Sequence, residues 1–193
     1  MATLKDIEKY YDYHSVIGGA RLLYAVRLAS PYLKKTDSVL DLGCGAGRSC
    51  YAMSDKVKNV TGVDISGNNI KYAKDNYAEA NTSFVKSDIL TFLKTAKRYS
   101  VVTMFDVVEH LLPKERPAIL KRVSKIADRV IINIPTAECL RRVPLEKRQI
   151  VDEPVGVAEI SETLGLKKMY EHQFSYSENE RYLLLIYGRI RAS

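Results

Sequence analysis

No stretch of this chain approaches the roughly 18 consecutive apolar residues that a membrane-spanning helix needs, so no membrane role is expected. The opening residues, MATLKDIEKYYDYH, are too polar and acidic for a signal peptide, and a cytoplasmic address is expected. Cysteine is scarce: Cys44, Cys50 and Cys139 are odd in number and none fall in a CxxC spacing. That argues against a disulfide framework and a cysteine zinc site, and it suits a reducing compartment. Internal repeats and low-complexity segments are missing too. With 46% hydrophobic and 27% charged residues the composition is globular and argues against disorder. A length of 193 residues fits one domain, 1–193, with a sizeable core and no separate substrate domain.

The net charge is +7 and unevenly placed. From Lys114 to Arg148 ten basic residues stand against four acidic ones, so nearly all the excess lies there. Such a stretch suits either an anionic partner, RNA included, or a solvated helix face.

Hydrophobic periodicity gives the outline. Ile7, Tyr10 and Tyr11, then Leu22, Leu23, Val26 and Ala29, recur at helical spacing until Pro31 stops the run, which predicts an N-terminal helical cover over 1–35. Strand signals follow at 38–42, 59–64, 83–87, 100–105 and 129–134, alternating with helical stretches. This is the pattern of a parallel sheet covered on both faces. The helix VGVAEISETL ends at Gly165, and LKKMYEHQF and RYLLLIYGRI then predict a closing hairpin. Ligands of such open sheets bind beyond the carboxyl ends of the strands, at the switch point between strands one and four.

The most informative segment is VLDLGCGAG, residues 39–47. An apolar strand runs into Asp41 and then into the alternating glycines Gly43, Gly45 and Gly47. Without a Cβ, such a turn bends sharply and lets backbone N–H groups approach a ligand. It is not the dinucleotide fingerprint GxGxxG, because Arg48 stands where the last glycine belongs. Farther on, NVTGVDIS ends a second strand in Asp64, at the interval where such folds place a carboxylate on ribose hydroxyls. Ser87-Asp88-Ile89 then follows the strand-like TSFVKS. A strand-end Asp also serves as a helix cap, and Asp88 is placed to cap a helix starting near Ile89.

This ordered set resembles the class I S-adenosylmethionine-dependent methyltransferases over about residues 36 to 190. The resemblance implies an α/β, Rossmann-like, seven-stranded and mostly parallel sheet in the order 3-2-1-4-5-7-6, with the last inserted strand antiparallel. It also implies that the loop from Asp41 through Gly43, Cys44, Gly45 and Gly47 cradles the methionine part of the cofactor and that Asp64 binds the ribose hydroxyls. Asp88 would accept from the adenine amino group, with Ile65 and Ile89 on the two ring faces. Cys44 is read as a small residue filling its loop position rather than as a catalytic thiol.

After strand four, VVTMFDVVEHLLPKERP brings Asp106, Glu109 and His110 to the place where methyl transfer happens. On a helical turn, residues three and four apart share a face, so the three are expected to converge. DVVEH resembles the ExxEH element of quinone-precursor O-methyltransferases and of small-RNA 3′-terminal 2′-O-methyltransferases, in which the element supplies metal ligands. Here Asp106 replaces the first Glu with a shorter side chain, and NIPTAE lacks the further His of the RNA group. Glu109 and His110 are the catalytic candidates, with Asp106 placed among the cofactor-binding residues. A divalent metal held by Asp106, Glu109 and His110 is an alternative, and a purely structural start to the next helix is another. His14 and His172 have no comparable neighbours and are read as surface or strand packing.

Acceptor choice is assigned to the N-terminal segment with Tyr10, Tyr11 and Tyr13 and to a lid over 136–154 carrying Arg141, Arg142, Lys147 and Arg148. The expected activity is methyl transfer from S-adenosylmethionine to oxygen or nitrogen of a small-molecule acceptor, leaving S-adenosylhomocysteine. An RNA methyltransferase and a non-catalytic binding protein of the same fold are the alternatives.

Overall fold

A computed structural model describes residues 19–142, 154–177 and 180–189. Seven strands form one sheet: β1 Ser38–Leu42, β2 Asn59–Asp64, β3 Thr82–Lys86, β4 Tyr99–Phe105, β5 Ala127–Pro135, β6 Lys167–Ser177 and β7 Glu180–Gly188. Their order is β3-β2-β1-β4-β5-β7-β6. β1 to β5 run parallel, whereas β7 lies antiparallel to both β5 and β6. Both the order and the antiparallel insertion are those implied by the resemblance. Around the sheet lie α1 Gly19–Ala29, α2 Arg48–Ser54, α3 Gly67–Asn76, α4 Ile89–Thr95, α5 Arg116–Ile126, α6 Ala137–Arg142 and α7 Val157–Leu164.

The central strands are largely apolar because both their faces are covered. Successive side chains point to opposite sides, so Leu40, Val102 and Ile132 meet Leu93 of α4, Ile119, Leu120 and Val123 of α5 and Ile160 of α7. Their neighbours Val39, Val101 and Ile131 meet Ala25, Val26 and Ala29 of α1, Cys50 and Met53 of α2 and Ala73 of α3 on the other face. α1 buries the stripe Ala25, Val26 and Ala29, at the spacing of one helix face, and leaves Leu23 43% exposed. The expectation for Leu23 is thereby corrected: it lies a third of a turn round from that stripe. Pro31 ends the helix in a short 3-10 turn, Ser30–Tyr32.

Strand limits differ from the sequence pattern by a residue or two, as strand ends do. His172 stacks between Tyr170 and Phe174, with ring centroids 6.1 and 6.4 Å away, which is the strand packing expected of it. Ile7, Tyr10, Tyr11, Tyr13 and His14, with Lys147 and Arg148 of the expected lid, lie outside the described residues. No described helix is long and apolar enough to cross a membrane.

Candidate cofactor and acceptor site

The glycine loop leaves β1 and folds over the end of β2, where the N–H groups of Gly43 and Cys44 both donate to the Val63 carbonyl, at 2.8 and 3.0 Å. Its three glycines differ in purpose. A Cβ on Gly43 would lie 2.5 Å from Val107 Cγ2, and one on Gly47 2.7 Å from Ala73 Cβ, so both positions are closed by packing. Gly45, with φ +51°, has no heavy atom within 4 Å of where a Cβ would stand. Its backbone faces open space, as a loop that receives a ligand must.

Asp41 is 1% exposed and is spent inside the protein. It accepts hydrogen bonds from the Ser49 hydroxyl, the Cys50 thiol at 3.3 Å and the Thr103 hydroxyl at 2.7 Å. Burial pushes its carboxyl upward, and those hydrogen bonds oppose the rise. Asp41 therefore braces β1, α2 and β4 together, and it acts on any ligand through the loop it holds.

Asp64 does face the loop. Its Oδ2 accepts the Gly45 N–H at 2.9 Å, and its Oδ1 accepts the Ser66 N–H at 2.9 Å and the Asn69 amide at 3.4 Å. The neighbouring strand ends alongside: Asp64 pairs with Lys86, and the Ser87 N–H donates to the Asp64 carbonyl at 2.9 Å. That brings Asp64 and Asp88 to adjacent strand ends, with Ile65 and Ile89 half-buried beside them. Asp88 caps α4 by accepting the Thr91 N–H at 2.9 Å, the capping role its sequence position allows. Cys44 is buried, and a Cβ on Gly62 would lie 2.8 Å from the sulfurs of both Cys44 and Cys50. The Cys50 hydrogen bond lowers the Cys44 thiol, yet burial and the charges of Asp64 and Asp41 leave it raised. A raised, buried thiol fills space and is no nucleophile.

Beyond β4 the structure departs from the expected convergence. Asp106 takes a left-handed backbone conformation, φ 55°, which Asp tolerates better than most residues. The chain thus changes direction before the 3-10 turn Val108–His110 begins, and the three side chains do not share one helical face. The Asp106 Oδ2 accepts from Nε and Nη2 of Arg21 at 3.0 and 2.8 Å. Its Oδ1 accepts from the Asn133 amide. Glu109 is 2% exposed, its Oε1 lies 3.9 Å from Nε2 of half-buried His110, and its Oε2 has no hydrogen-bond partner among the described residues. Burial pushes the Glu109 carboxyl up to about 7; His110 pulls it down and Asp106 adds to the rise. Among the described residues no group of three or more His, Cys, Asp and Glu side chains is arranged to hold a metal ion. The residues of the DVVEH element do not fit one, since both Asp106 oxygens are already engaged.

Arg21, Thr103 and Asn133 are the members of this site that the sequence reading misses. Arg21 lies upstream of the family resemblance, and its partner is 85 positions away. Asn133 carried a usable signal, as the one polar side chain inside the buried run of β5 from Val130 to Pro135. Within the described part of the expected lid, α6 is tied to β7 by an Arg181–Glu138 ion pair at 3.1 Å. Arg141 is exposed there, and the Arg142 side chain lies outside the described residues.

Residues 39–128 match the family model described as a methyltransferase domain. Over 85 residues the chain is 36% identical to the ubiquinone biosynthesis O-methyltransferase of Coxiella burnetii, a match covering 42% of this chain and 36% of the relative. The corresponding protein of Serratia proteamaculans is 28% identical over 109 residues, covering 55% of this chain and 44% of its own length. The chain therefore matches less than half of the length of these relatives. Over nearly whole chains, the fold matches that of the N-methyltransferase NodS from Bradyrhizobium japonicum, solved with S-adenosylhomocysteine, at TM-score 0.76 and 17% identity, covering 97% of this chain and 98% of that one. It also matches the magnesium protoporphyrin IX methyltransferase of Synechocystis, solved with S-adenosylmethionine, at TM-score 0.72 and 18% identity, covering 98% of each chain. The fold is the Rossmann-like fold of these methyltransferase structures. Residues 39–128, a little under half of the chain, are similar to a methyltransferase domain.

Proposed function

We propose that this protein transfers the methyl group of S-adenosylmethionine to oxygen or nitrogen of a small-molecule acceptor, with oxygen favoured by the name shared by its curated relatives. The observation that carries the reading is the coupling of an open glycine loop to the acid of the next strand, Gly45 N–H to Asp64. In this reading the loop from Gly43 to Gly47 holds the methionine part, Asp64 the ribose, and Asp88 with Ile65 and Ile89 the adenine.

The bound cofactor supplies an electrophilic methyl group on a sulfonium. Direct in-line displacement needs no covalent intermediate with the protein, so the chain's contribution is alignment and exclusion of water. The acceptor loses a proton as its new bond forms. In this reading Glu109 and His110 take it, supported by a carboxyl that burial raises to about 7 and an imidazole beside it.

The test is a screen with labelled S-adenosylmethionine against small phenols, small amines and tRNA. Label in a phenol or amine supports the proposal. Label in tRNA alone, together with retention on RNA that weakens steeply with salt, establishes the RNA reading instead. Cofactor binding without transfer to any acceptor leaves a binding protein of methyltransferase fold.

A further inference from the structure

The segment from Asp106 to His110 carries two carboxylates, Asp106 and Glu109, beside the glycine loop, Val107 being the residue against which Gly43 is packed. In a divalent-metal site the ion would balance those charges and fix the carboxylates. Here another cation already stands there. The Arg21 guanidinium, on the last helix before β1, contributes two of its nitrogens to one oxygen of Asp106. Its Nη1 approaches Glu180 Oε1 at 3.5 Å, and its Cζ stands over the Tyr182 ring, 4.7 Å from the centroid. An arginine held on three sides in this way stays charged at every working pH and is fixed in direction as well as in charge. The second Asp106 oxygen is taken by Asn133 from the far side, so the carboxylate has no free edge for a metal.

We propose that Arg21 is a positioning residue that does at Asp106 what a divalent cation would otherwise do, so that the site operates without a metal ion. The guanidinium balances Asp106, sets its orientation, and ties α1 to the end of β4. The shorter Asp in place of the first Glu of an ExxEH element follows from the same arrangement, because it leaves room for the guanidinium between Asp106 and Tyr182. One consequence concerns the acceptor. A divalent ion selects molecules that chelate it through two adjacent oxygens, and a site balanced by arginine imposes no such demand, so a single hydroxyl or amine suffices. That consequence rests on the methyltransferase reading; the charge substitution does not.

The two are separated by titrating Mn²⁺ into the full chain in the absence of cofactor and following the free-ion electron paramagnetic resonance signal. The wild-type protein is expected to show no stoichiometric binding below millimolar Mn²⁺. Arg21→Ala and the bulkier Arg21→Gln, which leave the carboxylates of Asp106 and Glu180 without this cation, are expected to bind Mn²⁺ at least tenfold more tightly than wild type. Arg21→Lys, which keeps the charge, is expected to behave as wild type. Micromolar binding of one Mn²⁺ by the wild-type chain that disappears in Asp106→Asn would overturn the proposal. So would Arg21→Ala and Arg21→Gln variants that fold and bind Mn²⁺ no better than wild type.

Discussion

The Gly45 N–H donates to Oδ2 of Asp64 at 2.9 Å, so the tip of the glycine loop and the acid ending the next strand form one hydrogen-bonded unit. The same carboxylate turns its other oxygen to Ser66 at the start of α3. A ligand lying against the loop therefore meets a carboxylate whose position is already fixed, and pre-positioning of this kind lowers the entropic cost of binding.

The glycines divide by role, and alanine substitution separates them. Gly47→Ala forces a side chain into φ +86° and against Ala73 and Phe84. A left-handed residue costs roughly 1–2 kcal/mol and overpacking about 1–3 kcal/mol more, so a marked drop in melting temperature is expected. Gly45→Ala meets only the conformational cost, because its Cβ points into open space. It is expected to fold with a smaller loss and to bind S-adenosylhomocysteine more weakly. Differential scanning calorimetry beside a binding titration checks the contrast; equal melting temperatures for the two variants would contradict it.

Asp41 is expected to matter for stability more than for ligand contact. Asp41→Ala strands the hydroxyls of Ser49 and Thr103 in the interior, at about 1–3 kcal/mol for each unpaired buried group. Asp41→Asn, which keeps an acceptor in place, is expected to lose less. Urea unfolding of the three proteins orders them, and an Ala variant as stable as wild type would remove the bracing role.

Glu109 makes stability depend on pH in a stated direction. Its carboxyl is raised from 4.5 to about 7 in the fold, so the folded state favours the protonated form. Its contribution is fully present below pH about 4.5 and is lost as pH rises through about 7, by an amount on the order of 3 kcal/mol. Glu109→Gln cannot ionise, and is expected to lose less stability than wild type between pH 5 and pH 8. Parallel stability curves for both proteins over that interval would contradict the burial effect.

The parts of the site that the sequence displays are those written into short contiguous segments. The run from Val39 to Gly47, the strand ending in Asp64 and the Ser87-Asp88-Ile89 turn each combine a strand pattern with its terminal residues, and chain order then places them side by side. Contacts between distant segments are not visible in that way. Asp41 appears as a loop acid until Thr103, 62 positions away, is seen to donate to it. Asp106 appears as one third of a helical triad until its φ of 55° turns it toward Arg21 and Asn133. A backbone conformation at a single residue decided that outcome, and spacing along the chain carries no signal for it.

The central claim is that the glycine loop and Asp64 together hold the cofactor, and calorimetric titration of the full chain with S-adenosylhomocysteine tests it most directly. One equivalent is expected to bind. Asp64→Ala removes charge-assisted hydrogen bonds to the ribose worth roughly 1.5–3 kcal/mol each, so affinity should fall at least about tenfold, with circular dichroism confirming that the variant is folded. Absence of binding by the wild-type chain, or an Asp64→Ala variant with unchanged affinity, would contradict the account.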